Sequence, residues 1–132
     1  MKITADTNLL VRAMTGDDER QSGIARDALT NAEIVALTLP ALCELAWVLS
    51  RGYKVSAQEI ATGMRRLING ANVMVNRAAT EAGLSMLDEG GDFADGVIAF
   101  EGAWLGAKTF VSFDKRAVAL LGARGQTARL IG

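Results

Sequence analysis

Histidine is absent from this 132-residue chain and cysteine occurs once. Without histidine there is no His-based zinc site, no Ser–His or Cys–His nucleophile pair, and no imidazole base working near neutral pH. A single cysteine closes no internal disulfide, so the fold is not a disulfide scaffold and nothing points to an oxidising compartment. Hydrolytic chemistry must then rest on carboxylates, hydroxyls, cationic side chains or a bound ion. Long apolar runs are missing as well. The longest, Ile34 to Cys43, contains Thr38 and Pro40 and stops at Glu44, far short of the roughly 20 residues that span a bilayer. Asp6 interrupts the opening MKITADTNLLV before a signal peptide can form. These absences predict a cytoplasmic protein with no membrane partner.

What is present is apolar bulk and segregated charge. Half the residues are hydrophobic and 22% are charged, enough to bury a core, and the length suits one domain over residues 1–132. The net charge of −1 conceals a run without basic residues: residues 78–107 carry six carboxylates. Basic segments flank it, each with a net +4, over residues 51–77 and 108–132. Those six carboxylates must be met by solvent, by distant basic segments, or by a cation.

Periodicity and turn residues divide the chain into alternating elements. Short strands are expected at Lys2–Ala5, Ile34–Thr38, Val73–Val75, Thr109–Ser112 and Ala128–Ile131. Helices are expected from Asn8, from Glu19, from Pro40 to Arg51, after a Ser56 cap with Glu59 three residues on, from Ala78, from Asp92 and from Asp114. The alternation predicts an α/β fold with a short, mostly parallel central sheet covered on both faces. In such sheets the functional crevice lies beyond the carboxyl ends of the strands, where strand order reverses.

That rule draws attention to Asp6 after the first strand and Asp114 after the fourth. Asp95, at the opening of the helix after Gly90-Gly91, and Glu44, inside an apolar helix, complete a candidate quartet. Each has a plainer reading. Asp6, Asp92 and Asp114 suit helix N-caps, and Asp92 and Asp95 are spaced as a cap and third helical residue. Glu44 is flanked by Leu42, Cys43, Leu45, Ala46 and Trp47; it is either a buried carboxylate needing a partner or part of an exposed stripe with Ala41 and Arg51. Together the four suggest a Mg2+ or Mn2+ site able to hydrolyse phosphodiesters without histidine. Thr7, Asn8, Ser112 and Asp92 stand where they could orient the ligands, or serve as turn and cap residues. Trp47, Cys43 and the five methionines read as core; Tyr53 and Trp104 suit base stacking or a dimer contact.

The motifs Ala5-Asp6-Thr7-Asn8-Leu9-Leu10, Leu42-Cys43-Glu44-Leu45, Phe93-Ala94-Asp95-Gly96-Val97-Ile98-Ala99 and Thr109-Phe110-Val111-Ser112-Phe113-Asp114 resemble, in order and across essentially the whole chain, the PIN-domain family. The likeness is specifically to its VapC-type toxin ribonucleases of type II toxin–antitoxin systems. The resemblance implies a three-layer α/β/α sandwich and a Mg2+- or Mn2+-dependent endoribonuclease. Asp6, Glu44, Asp95 and Asp114 match the family's acidic residues, with Ser112 and Asn8 at its accompanying polar positions. It also implies a homodimer, an RNA substrate and a cognate antitoxin, for which an acidic crevice would attract an Arg or Lys. Phe113 departs from the polar or basic residue the family often has there. Two other readings remain: an aspartyl phosphotransfer domain using Asp6, which lacks the second Asp of a D-x-D motif because position 8 is Asn, and a catalytically silent PIN-like binding module.

Overall fold

The computed structural model describes residues Met1–Gly132. The element order is β1 (Lys2–Thr4), α1 (Thr7–Thr15), α2 (Glu19–Asn31), β2 (Ile34–Leu37), α3 (Leu39–Arg51), α4 (Ala57–Ile68), β3 (Val73–Val75), α5 (Arg77–Asp88), α6 (Phe93–Trp104), β4 (Phe110–Ser112), α7 (Lys115–Ala123) and β5 (Ala128–Leu130). The α/β class expected from the sequence is what the structure has, and where a mostly parallel sheet was expected every strand pairing is parallel. No helix is long and apolar enough to cross a membrane. The chain divides into two compact units, Met1–Asn76 and Arg77–Gly132.

In the first unit β1, β2 and β3 form one sheet in chain order. Ile3 is paired with Val35, and Ala36 with Met74. Chain order contains no reversal, so the crevice rule used on the sequence finds no switch point within this sheet. Beyond β1, Ala5 N–H still donates to Ala36 O (3.2 Å), carrying the ladder to the residue before Asp6. The buried core includes Leu10, Val35, Leu42, Leu45, Ile60 and Met64. Asn72 fastens the end of α2 by donating to the carbonyls of Leu29 (2.8 Å) and Ala32 (2.9 Å), groups a helix terminus leaves unpaired.

Local chemistry explains the helix limits. Thr38 caps α3 through Ala41 N–H, and Pro40 sits in its first turn. Ser56 caps α4 through Glu59 N–H, while its hydroxyl donates to the Glu59 carboxylate (3.1 Å). Gly52 ends α3 for a steric reason: a Cβ there would lie 2.8 Å from Val48 O.

In the second unit β4 pairs with β5, Ser112 opposite Leu130, and α5 packs on α6 through glycines. A Cβ on Gly83 would meet the Phe93 ring at 2.6 Å, and one on Gly96 would meet the carbonyl oxygen of Ala82. Of the small residues of α6, Gly96 thus serves helix–helix contact, while Ala99 packs in the cluster that includes Phe110 of β4 and Ala128 of β5. Met86, Ala99 and Leu121 form a buried cluster with Phe110, Leu120 and Ala128 against it. Arg124 donates to Ser85 O (3.1 Å) and Gln126 to Ala99 O (3.3 Å), tying the end of α7 and the following loop to α5 and α6.

Several expected core residues lie outside it. Trp47 is 59% exposed, Met1 and Met74 are exposed, and Cys43 is only part-buried, whereas Met64 and Met86 are fully buried. On α3 the buried face is Ala41, Leu42, Leu45, Ala46 and Leu49, which turns Trp47 to solvent.

Two glycine substitutions should move stability in opposite directions. Gly96→Ala overpacks the α5–α6 contact and should cost about 1–3 kcal/mol. Gly122→Ala, in α7 with open space around the new methyl, should add about 0.5–1 kcal/mol through helix propensity. Urea unfolding midpoints of the two variants check both signs.

Candidate active site

Three of the sequence-predicted acids are held by one device, capping a helix with one oxygen. Asp6 Oδ1 accepts from Leu9 N–H (2.9 Å) at the start of α1. Asp92 Oδ1 accepts from Ala94 N–H (3.0 Å) at the start of α6. Asp114 Oδ1 accepts from Arg116 N–H (2.9 Å) and Ala117 N–H (3.1 Å) at the start of α7. A short carboxylate at this position satisfies amides the helix leaves unpaired and complements the dipole. Each Oδ2 remains free of backbone partners. Capping and an active-site role are thus not alternatives here: the cap orients the group and leaves one oxygen for a ligand.

Asp95 is held differently. It is the third residue of α6, half-buried, and caps nothing. Burial, then the negative charges of Asp92 and Asp114, push its carboxyl up to about 6. The α6 N-terminus acts in the opposite sense, but its influence is typically below about 1 kcal/mol and the desolvation and repulsion prevail. Asp92, Asp95 and Asp114, all in the second unit, therefore share one electrostatic neighbourhood. Beside them Ser112 Oγ accepts from Asp114 N–H (3.0 Å), fixing the backbone that carries Asp114.

Asp6 and Glu44 belong to the first unit. Glu44 and Arg51 are exposed, as in the second of the two readings, but Ala41, the third residue of the expected stripe, belongs to the buried face of α3. Thr7 is the first residue of α1. Asn8 lines a cleft of about 580 Å3 between α1 and α2, with Leu9, Arg20, Gln21 and Ile24. Neither Thr7 nor Asn8 hydrogen-bonds to the Asp6 carboxylate, whose one protein partner is Leu9 N–H.

A polar cluster that the sequence did not disclose sits on the first unit. Asp17, after α1, accepts from Tyr53 OH (2.6 Å), from Thr15 Oγ1 (2.9 Å) and from Arg12 Nη1 (2.9 and 3.0 Å). The Tyr53 hydroxyl foremost, then Thr15 and Arg12, lower its carboxyl to about 2. The Tyr53 hydroxyl is thus committed to a carboxylate, while its ring stays partly exposed. Thirty-six residues separate the pair, and no local pattern joins them; only the proximity of Arg12 to Asp17 was visible in the chain.

The family model of the PIN domain matches residues 3–120. The chain therefore belongs to the PIN-domain family, whose members are generally nucleases, hydrolase-type enzymes that typically use divalent metal ions. Among curated proteins, none matches the chain.

The donor set fits such an ion by type. Carboxylate oxygens suit hard cations, and the mutual repulsion that raises Asp95 is what a cation would relieve. No group of three or more Asp, Glu or Cys side chains stands ready-made around a metal position. An ion of the Mg2+ kind, which is bound through one or two carboxylates and keeps several waters, needs no such closed set.

Two pH dependences follow. Asp95 binds its proton more tightly when folded, so it favours the native state below pH 4 and disfavours it increasingly up to about pH 6. Asp95→Asn should accordingly stabilise the protein above pH 6 and change little below pH 4. Solvent reaches half of this side chain, so the gain should be about 1 kcal/mol, less than an unscreened shift of this size implies. Asp17 has the opposite sign: its stabilising bonds are present above pH 4 and lost as pH falls towards 2. Asp17→Asn should lower the melting temperature at neutral pH, and the deficit should shrink on acidification. Thermal melts across pH 2–8 check both.

Proposed function

We propose that the protein is a Mg2+- or Mn2+-dependent endoribonuclease, the cytoplasmic toxin of a type II toxin–antitoxin pair, acting as a homodimer held in check by an antitoxin. Family membership supplies the nuclease class. The observation that carries the reading further is Asp95, an acid held at about 6 by burial and by two neighbouring acids, in a chain with no histidine to do the same work. Carboxyls shifted by desolvation together with specific charged neighbours cluster at functional sites.

The residues divide the work. Asp92 and Asp114, locked by backbone amides, are preorganised acceptors whose second oxygens need not reorient when a ligand arrives. Asp95 is the adaptable member: it carries or releases a proton near neutral pH, so its charge can follow that of what binds beside it. Ser112 holds the Asp114 backbone in place and acts as a positioning residue. Asp6 and Glu44 are assigned to the same chemistry through the family motifs that contain them. When bound, a divalent ion would offset the phosphodiester charge and acidify the attacking water. Of the other readings, the binding-only module draws on the lack of a ready-made ligand group, and the following test separates it.

Purified, partner-free protein should cleave RNA only with Mg2+ or Mn2+. Asp6→Asn or Asp95→Asn should lower the rate at least about 100-fold, the scale expected when a charge-stabilising group is removed. Cleavage sites mapped on total cellular RNA, with wild type and Asp95→Asn side by side, provide the readout. Undiminished cleavage by both variants, or in excess chelator, would contradict the assignment. Absence of any cleavage, with tight binding of a protein partner, would favour the binding module.

A further inference from the structure

Between Ser112 and Asp114 stands a phenylalanine that the fold does not use. Phe113 is 77% exposed, although burying such a ring is worth about 2–3 kcal/mol. Its backbone neighbours are pinned. Ser112 O accepts from Ile131 N–H (3.0 Å), Ser112 Oγ accepts from Asp114 N–H, and the Asp114 carboxylate caps α7. The ring lies against Gly132, where an added Cβ would stand 2.9 Å from its Cδ1 and Cε1. The next residues are exposed cations, Lys115 and Arg116. Arg116 reaches back over Gly90, where an added Cβ would stand 2.8 Å from Nη2, which leaves Lys115 as the nearer uncommitted charge.

We infer that Phe113 is a base-stacking residue that seats one nucleotide of single-stranded RNA beside Asp114, with Lys115 on a flanking phosphate. An exposed ring next to a lysine is the pairing by which proteins hold single strands, one part for the base face and one for the backbone. Val111, Leu130 and Ile131 beside the ring are also exposed, but Asp114, Lys115 and Arg116 follow it directly, and the centres of protein–protein contacts are depleted of charge. Wet, charged surroundings are normal where nucleic acid binds. The inference rests on the ribonuclease reading and deepens it: Phe113 is a positioning residue for that substrate.

The test measures binding of short fluorescently labelled single-stranded RNAs by anisotropy, with Asp6→Asn as the uncleaving parent and Mg2+ present. Phe113→Ala should weaken binding about tenfold, Phe113→Trp should retain it, and Phe113→Leu should not restore it. In RNAs carrying a single abasic site, one position should abolish the difference between parent and Phe113→Ala. Equal affinity of Phe113→Ala and parent, or full rescue by leucine, would overturn the inference while wild-type cleavage of RNA left the ribonuclease reading intact. So would dissociation of a dimer by Phe113→Ala with RNA affinity unchanged, which would make the ring a contact between copies. A wild-type protein that neither binds nor cleaves RNA would remove both.

Discussion

Bringing carboxylates together costs free energy, and a fold that does so must hold them by something other than one another. Here the holding force is the helix N-terminus. Asp92 and Asp114 each give one oxygen to backbone amides, an interaction worth about 1 kcal/mol per cap; Asp6 is capped in the same way within the first unit. The cap also keeps the charge where the helix dipole favours it. Those contributions are local and do not depend on any ion. The chain can therefore carry an acidic site through folding and meet a cation afterwards.

Asp95 is where that arrangement is left unbalanced. Its position follows from the tight contact between α5 and α6, where Gly83 lies under Phe93 and Gly96 lies against the carbonyl of Ala82. Two glycines thus decide how deeply the first turn of α6 is sunk, and so how much solvent Asp95 loses. With Asp92 and Asp114 adding like charge, the site is poised to gain more from a cation than any one carboxylate would. The stretch of residues 78–107 without a basic side chain is the sequence-level trace of that imbalance.

Much of the fold was legible because it is written in local signals. Caps, turn glycines and short apolar runs placed the elements to within a residue or two. Asp6, Ser56, Asp92 and Asp114 cap the helices they were expected to begin, while Thr38, read as the end of a strand, caps α3. The candidate acids were legible for the same reason, since strand ends and helix starts can be seen along a chain. What failed was orientation around a helix whose neighbours are apolar on every side. Glu44 and Trp47 on α3 both face solvent, because the core needs only the stripe from Ala41 to Leu49. Long-range pairs such as Tyr53 with Asp17 were not legible, since nothing in either segment encodes the other.

The most direct test of the account is the titration of the Asp95 carboxyl carbon by NMR, with and without Mg2+. The account predicts a midpoint near 6 in the absence of the ion, moving to lower pH as Mg2+ is added, with Asp92 and Asp114 responding in the same concentration range. A midpoint in the ordinary aspartate range near 4, unmoved by Mg2+, would contradict the claim that these three acids form a site made for a cation.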